Sequence, residues 1–188
     1  MALLTHRLRI GLAALVAGSF GMEPVAAQTL TQDEALALAF PGARIERMTA
    51  FLDEAMLSEA SQLAGPGVEV ESAVVSYYVA YQGDAPVGVA YFDAHRVRTL
   101  PQVLMIVVTP AGRVTRIETV SFREPPEYRA PDGWLRQFDG HSLTDRLSLR
   151  GDIAPMTGAT LTAGAATRAA RRALALHSVI APLTGGNG

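Results

Sequence analysis

The chain has 188 residues, a formal net charge of −2 at pH 7 and no cysteine. The lack of cysteine excludes disulfides, thiolate zinc sites, cysteine-ligated iron–sulfur clusters and haem attachment through Cys-x-x-Cys-His. The acidic balance argues against a nucleic-acid partner, which requires a basic face. The length predicts a single domain with its own hydrophobic core.

The N-terminus has the pattern of a secretory signal. Arg7 and Arg9 form a basic start, residues 10–20 are apolar, and Val25-Ala26-Ala27 places small residues at a cleavage position. The apolar run is shorter than the ~20 residues of a membrane span. We therefore predict a signal peptide over 1–27 and a periplasmic or other extracytoplasmic location. The alternative is an uncleaved signal that anchors the protein to the membrane.

Residues 28–70 are predicted to form an N-terminal helical segment of the domain. The capping box Thr31-Gln-Asp-Glu34 predicts a short helix that ends at Pro41-Gly42. Apolar residues at helical spacing predict a second helix over 52–64. Between these helices, residues 44–51 are compatible with a strand.

The middle of the chain is rich in β-branched and aromatic residues, which favour strands. Turn signals divide it into four runs, at 72–82, 87–92, 102–109 and 113–122. This pattern predicts a meander of about four or more antiparallel strands, with helices packed on the sheet. The predicted fold class is α+β, because the strands follow one another without intervening helices.

The C-terminal third is predicted to be helical after a rigid connector, Glu124-Pro-Pro-Glu-Tyr128. Trp134 and Phe138 are spaced to anchor one or two helical turns in the core. The last helix is predicted from Thr162 or Ala163 to about His177, followed by a disordered tail over 181–188. Its arginines share one face, and its small apolar residues face the core. The core set is Ala166, Ala169, Ala170, Ala173 and Leu176.

The segment Met156-Thr-Gly-Ala-Thr160-Leu-Thr162 is the strongest candidate for a cofactor site. Gly158 lets the backbone approach a ligand, Ala159 keeps the turn narrow, and Thr160 projects a hydroxyl. Thr162 can cap the following helix, whose free N–H groups and positive end attract a phosphate. The same small residues also suit a plain helix-capping turn, so the residues alone leave both interpretations open.

The segment Thr157-Gly-Ala-Thr160-Leu-Thr162 resembles the Ser/Thr-Gly-Ala-Thr-x-Ser/Thr flavinylation motif of FMN-binding domain proteins. This family includes the FMN-carrying subunits of the sodium-pumping quinone reductase and of the Rnf electron-transport complex. The similarity extends upstream through 95–99, 122–128 and 134–140, a succession like that of small exported stand-alone members. The resemblance covers roughly residues 91–176.

The resemblance implies an FMN-binding domain over 71–180. FMN is then joined to Thr160 by a phosphoester bond that a separate FAD:protein FMN transferase makes. The candidate cofactor-binding residues of the turn are Met156, Thr157, Gly158, Ala159, Thr160, Leu161 and Thr162. His95, which follows a predicted strand, is a further candidate as a contact to the flavin or its phosphate, and the alternative for it is a solvated loop histidine.

This chain departs from the family pattern at two positions. The family usually has an acid six residues before the modified threonine, where this chain has Ala154, and the nearest acid is Asp152. We expect this difference to weaken flavinylation if the transferase recognises that acid. Larger members carry a His-x-Glu-Thr element, whereas this chain has His95 and Thr99 with Arg98 in place of the acid. No catalytic residue is assigned here.

Three functions follow as hypotheses. The first is an exported FMN electron carrier with a membrane or periplasmic redox partner and no substrate of its own. The second is a flavin-dependent reductase of a small molecule, for which His95 is the candidate proton donor. The third is a cofactor-free exported binding domain, in which Thr157–Thr162 serves only as a helix cap.

Overall fold

The computed structural model describes residues 29–183. The predicted signal peptide over 1–27 and residues 184–188 of the predicted tail lie outside the described residues. The predicted tail begins too early at 181, because the half-buried side chain of Leu183 packs against the main core.

The predicted α+β class is confirmed. Five antiparallel strands form one sheet in the order β1-β2-β3-β4-β5, with four α-helices around it. The elements are α1 (Gln32–Ala39), β1 (Arg44–Phe51), α2 (Glu54–Ala64), β2 (Val74–Gln82), β3 (Ala85–Arg96), β4 (Pro101–Val108), β5 (Val114–Phe122), α3 (Asp132–Leu135) and α4 (Thr160–Ile180). Two short 3-10 turns, Pro126–Tyr128 and Arg136–Phe138, flank α3.

The segment 28–70, which was predicted to be helical, also contributes a strand to the sheet. Its residues 44–51 form β1, which pairs with β2 at the edge of the sheet. The capping box is present at the start of α1, where Thr31 and Glu34 exchange side-chain and backbone hydrogen bonds.

Both faces of the sheet are covered, which explains why β4 is nearly all apolar. Leu104, Ile106 and Val108 belong to the main core with residues of α2 and α4. Met105 and Val107 point to the opposite face, where residues of α1 cover them. Side chains alternate between the two faces along a strand, so the central strand needs apolar residues at every position.

The hairpin between β3 and β4 is longer than the sequence indicates. The turn between β2 and β3 is only Gly83–Asp84. β3 runs from Ala85 to Arg96, whereas the prediction ended this strand at Phe92. His95 therefore lies in a strand, opposite Gln102 of β4, and does not follow the strand as a loop residue. The extension is stabilised by cross-strand pairing that continues to Arg96 and Pro101.

The last helix also differs from its predicted bounds. α4 begins at Thr160, two residues before the earliest predicted start, and continues three residues beyond His177 to Ile180. Its predicted core residues are all buried. Its arginines do not share one environment: Arg168 is exposed, Arg171 binds backbone carbonyls of Ala64 and Leu147, and Arg172 reaches the sheet.

Candidate functional site

The turn before α4 is exposed at its apex. Gly158 has φ of +80°, in the region that favours glycine, and a Cβ added there would meet no atom within 4 Å. Glycine is therefore needed at this position for its backbone conformation rather than for close packing inside the protein. Thr157 and Gly158 are exposed, Met156 is half-buried and Ala159 is buried. The turn presents its backbone and hydroxyl groups to solvent.

Thr160 is the first residue of α4, and its side chain is exposed. Its Oγ1 lies 3.5 Å from the carbonyl oxygen of Met156, at the outer limit of a hydrogen bond. Ala159 occupies the N-cap position, and no side chain caps the helix. The N–H groups of the first turn have no partner within the helix, so they remain available to an anion.

Thr162 does not cap α4, contrary to the sequence-based expectation. Its side chain is 1% exposed, and Oγ1 donates a 2.6 Å hydrogen bond to the backbone carbonyl oxygen of Tyr128. Because α4 begins two residues earlier, Thr162 lies within the first turn and faces the connector after β5. Its hydroxyl joins α4 to this connector and is closed to solvent.

Leu161 lies between the two threonines and has the opposite exposure to Thr162. Its side chain is 56% exposed and places an apolar surface next to Thr160 in the chain. The turn therefore offers a hydroxyl, open N–H groups and apolar area within three consecutive residues.

The chain leading into the turn is held from both sides at Ala154. The indole N–H of Trp134 donates to the Ala154 carbonyl oxygen over 2.9 Å, and the Ala154 N–H donates to the Gln137 side chain over 2.8 Å. The predicted anchoring role of Phe138 is confirmed, since it is fully buried and its ring meets the Trp134 ring edge to face. Asp152, the nearest acid, is bound by the Arg146 guanidinium.

The connector after β5 is fastened to the hairpin between β3 and β4. One carboxylate oxygen of Glu124 accepts hydrogen bonds from the N–H groups of Arg98, Thr99 and Leu100 at 2.7–3.1 Å. The hydrogen bonds from Leu100 and Thr99 hold the pKa of Glu124 below its ordinary value. The Arg98 guanidinium lies 4.8 Å from the centre of the Tyr128 ring, a cation–π contact.

His95 belongs to a buried polar cluster between the sheet and α4. Its Nδ1 lies 2.7 Å from the carboxylate of Asp93, and its Nε2 lies 3.2 Å from Oε1 of Gln102. Arg172 of α4 donates to the other carboxylate oxygen of Asp93. Burial alone would raise the pKa of Asp93, but the His95 hydrogen bond and the Arg172 charge outweigh it and lower that pKa.

A cleft of about 590 Å³ opens beside this cluster, lined by Glu69, Glu71, His95 and Arg172 among others. Arg172 lies about three helical turns beyond Thr160, roughly 18 Å along the helix axis. Within residues 29–183, no hydrogen bond or ion pair joins His95 to residues 156–162. A flavin contact for His95 therefore stays a prediction.

Sequence reasoning missed three charged residues that organise this region: Asp93, Glu124 and Arg172. The spacing of Asp93 and His95 did carry a signal, because residues i and i+2 of a strand share a face. Glu124 and Arg172 carried none, since their partners lie 24–26 and 79 residues away in the chain.

The comparisons with known proteins identify no relative: no protein-family model matches the chain, and no curated protein matches it. Among residues 29–183, no helix has the length and apolar character needed to cross a bilayer. Over the same residues, no group of three or more acidic or histidine side chains is placed to hold a metal ion.

Proposed function

We propose that this protein is an exported electron carrier that holds FMN through a phosphoester bond to Thr160. The observation that carries the proposal is the contrast between two neighbouring hydroxyls. Thr160 is exposed at the uncapped start of α4, whereas Thr162 is buried and already bonded to Tyr128. The resemblance of the turn to the flavinylation motif assigns the same residue.

The residues of the turn suit FMN that is covalently attached to Thr160. A phosphodiester on Thr160 carries one negative charge, and the open N–H groups and positive end of α4 would stabilise it. The exposed Leu161 side chain would offer apolar contact to a flavin ring. Gly158 supplies the positive φ that the exposed turn before Thr160 requires.

Attachment replaces the hydroxyl proton of Thr160 with phosphorus. In the reaction that the resemblance implies, the transferase uses FAD: the Thr160 oxygen bonds to the FMN phosphorus, the pyrophosphate bond breaks, and AMP leaves. FMN, when bound, supplies both one-electron and two-electron redox chemistry. The protein supplies the attachment point, the local electrostatics and a surface for a membrane or periplasmic redox partner.

The test is intact-protein mass spectrometry after export from a host that also expresses a flavin transferase. We expect a mass increase of FMN minus water and a yellow protein. Thr160→Ala should abolish the adduct. Thr49→Ala is the control, because it removes an exposed threonine hydroxyl of β1, outside the motif, and should keep the adduct. Thr162→Ser keeps the buried hydroxyl, and this variant should still gain FMN on Thr160.

An unmodified protein from the transferase-expressing host would overturn the proposal, provided that a known flavinylated protein is modified in the same cells. An adduct that persists in Thr160→Ala would overturn the residue assignment. The departure at Ala154 gives a further comparison: Ala154→Asp should increase the modified fraction if the transferase reads an acid at this position.

A second function, flavin-dependent reduction of a small molecule, is favoured by one observation. His95 lines a cleft, and the buried Asp93 carboxylate binds its Nδ1, which resembles the arrangement of an oriented general acid. Steady turnover of a soluble substrate that is lost in His95→Gln, with flavin content unchanged, would support this function over the carrier. The cofactor-free interpretation is weakened, because no threonine side chain caps α4.

A further inference from the structure

One end of the sheet carries three exposed arginines, one of which, Arg98, lies near the carboxylate of Glu124. These are Arg96 at the end of β3, Arg98 in the following turn, and Arg123 just after β5. Within the part of the chain that the structure describes, none of the three forms an ion pair. We call this group the basic rim. It contrasts with the net charge of −2 for the whole chain.

The register of the sheet places two members of the basic rim on one face. Arg96 pairs with Pro101, and the Arg123 N–H donates to the Pro101 carbonyl oxygen. The residues that precede them in the chain, His95 and Phe122, lie in the adjacent cross-strand row and face α4. His95 binds Asp93, which binds Arg172 of α4, and Phe122 belongs to one cluster with Ala165 of α4. By alternation, Arg96 and Arg123 project from the opposite face, roughly 10 Å apart across two strand spacings.

The surface next to this row is open and made of small side chains. Moving inward on the same face, the next cross-strand row is Ala94, Val103 and Ser121. Ala94 is exposed, and the other two are half-buried. Arginine is a residue type enriched in protein interfaces, and the half-buried Val103 adds apolar area beside it on this face.

Arg96 and Arg98 are held in place by contacts other than ion pairs. Arg96 donates to the carbonyl oxygen of Thr99 over 2.7 Å, and Arg98 lies over the Tyr128 ring. The neighbouring carboxylate of Glu124 is buried and bonded to three backbone N–H groups of the turn. Further N–H groups of the guanidinium groups therefore remain free for bidentate bonds to carboxylates.

From these features we propose that the basic rim is a docking surface for a protein partner with an acidic face. Charge complementarity is the argument: a locally positive end on a net negative protein attracts and orients such a partner. Arg96 and Arg123 lie on the sheet face away from α4, so their contribution does not depend on the presence of flavin at Thr160. It extends the proposed function by assigning where a partner binds.

The test uses a fluorescein-labelled peptide of eight glutamates as the probe, titrated with the full chain at low salt. The double variant R96Q/R123Q should bind about tenfold more weakly, because rim charges dominate steering at low ionic strength. The matched control is R150Q/R168Q, which removes the same charge from two exposed arginines that also lack ion pairs among the described residues. Its affinity should stay within about twofold of the unchanged protein.

Thermal unfolding of each variant establishes that it is folded, and flavin content is read separately from visible absorbance. Equal affinity of R96Q/R123Q and the unchanged protein would overturn the proposal, as would an equal loss in the control. The last measurement uses vesicles of phosphatidylglycerol in place of the peptide. If they bind through Arg96 and Arg123 while the peptide does not bind, the surface recognises an anionic membrane and the protein-partner proposal is wrong.

Discussion

Arg172 of α4 donates a 2.5 Å hydrogen bond to Asp93 of β3, and this ion pair links the last helix to the sheet. The Asp93 side chain is only 9% exposed, and the same carboxylate binds His95. The Arg172 side chain also donates to the backbone carbonyl oxygen of Glu69. The pair therefore joins three parts of the chain around one buried charge.

Removing Arg172 should strongly destabilise the fold. Arg172→Met keeps the apolar stem but leaves Asp93 with a buried, partly unpaired charge, which we expect to cost about 3 kcal/mol in the free energy of unfolding. Arg168→Met changes an exposed arginine of the same helix and should cost less than about 0.5 kcal/mol. Urea unfolding of both variants measures the difference, and equal losses would show that the ion pair contributes no net stability.

The free energy of unfolding should decrease as the pH falls below about 6.5, through His177. Burial lowers the pKa of His177 from its ordinary value, so the unfolded chain binds a proton more readily than the folded one. The hydroxyl of Tyr91 lies 3.2 Å from Nδ1 of His177, and the buried site around the ring disfavours the charged imidazolium. The stabilising contribution of the neutral ring is present above pH 6.5 and is lost as the pH falls through the folded pKa.

Urea unfolding between pH 8 and pH 5 tests this dependence. His177→Gln removes the titrating group while keeping a side chain that can accept from Tyr91, so its stability should vary less over this range. His141→Gln is the control, because it removes a half-buried loop histidine and should leave the His177 contribution in place. An unchanged slope in His177→Gln would contradict the assignment.

Thr162→Val should weaken the junction between α4 and the connector without removing the attachment site. The substitution keeps the shape of the side chain but leaves the Tyr128 carbonyl oxygen without its donor, at a cost of about 1.5 kcal/mol. Thr162→Ser retains the hydroxyl and should lose less. Because Thr160 is unchanged, the folded Thr162→Val protein should still gain FMN in the transferase-expressing host. Loss of the adduct with normal stability would show that Thr162 is itself recognised or modified.

The sequence alone determined the elements whose signals are local. The capping box set the start of α1, and the runs of β-branched and aromatic residues indicated the strands of the meander. The alanine stripe of α4 indicated its core face. These features depend on neighbours within a helical turn or along one strand, so spacing in the chain predicts them. The sequence also singled out Thr160, although only through a resemblance to a known motif.

The tertiary structure decided what the polar side chains bind. Thr162 was expected to cap α4, but its partner is Tyr128, 34 residues earlier in the chain. Arg172 and Asp93 are 79 residues apart and meet only because α4 packs across β3. A buried polar group must find a partner wherever packing places one. Which hydroxyl stays exposed and which becomes structural therefore depends on the packing of α4 against the connector, which sequence spacing does not encode.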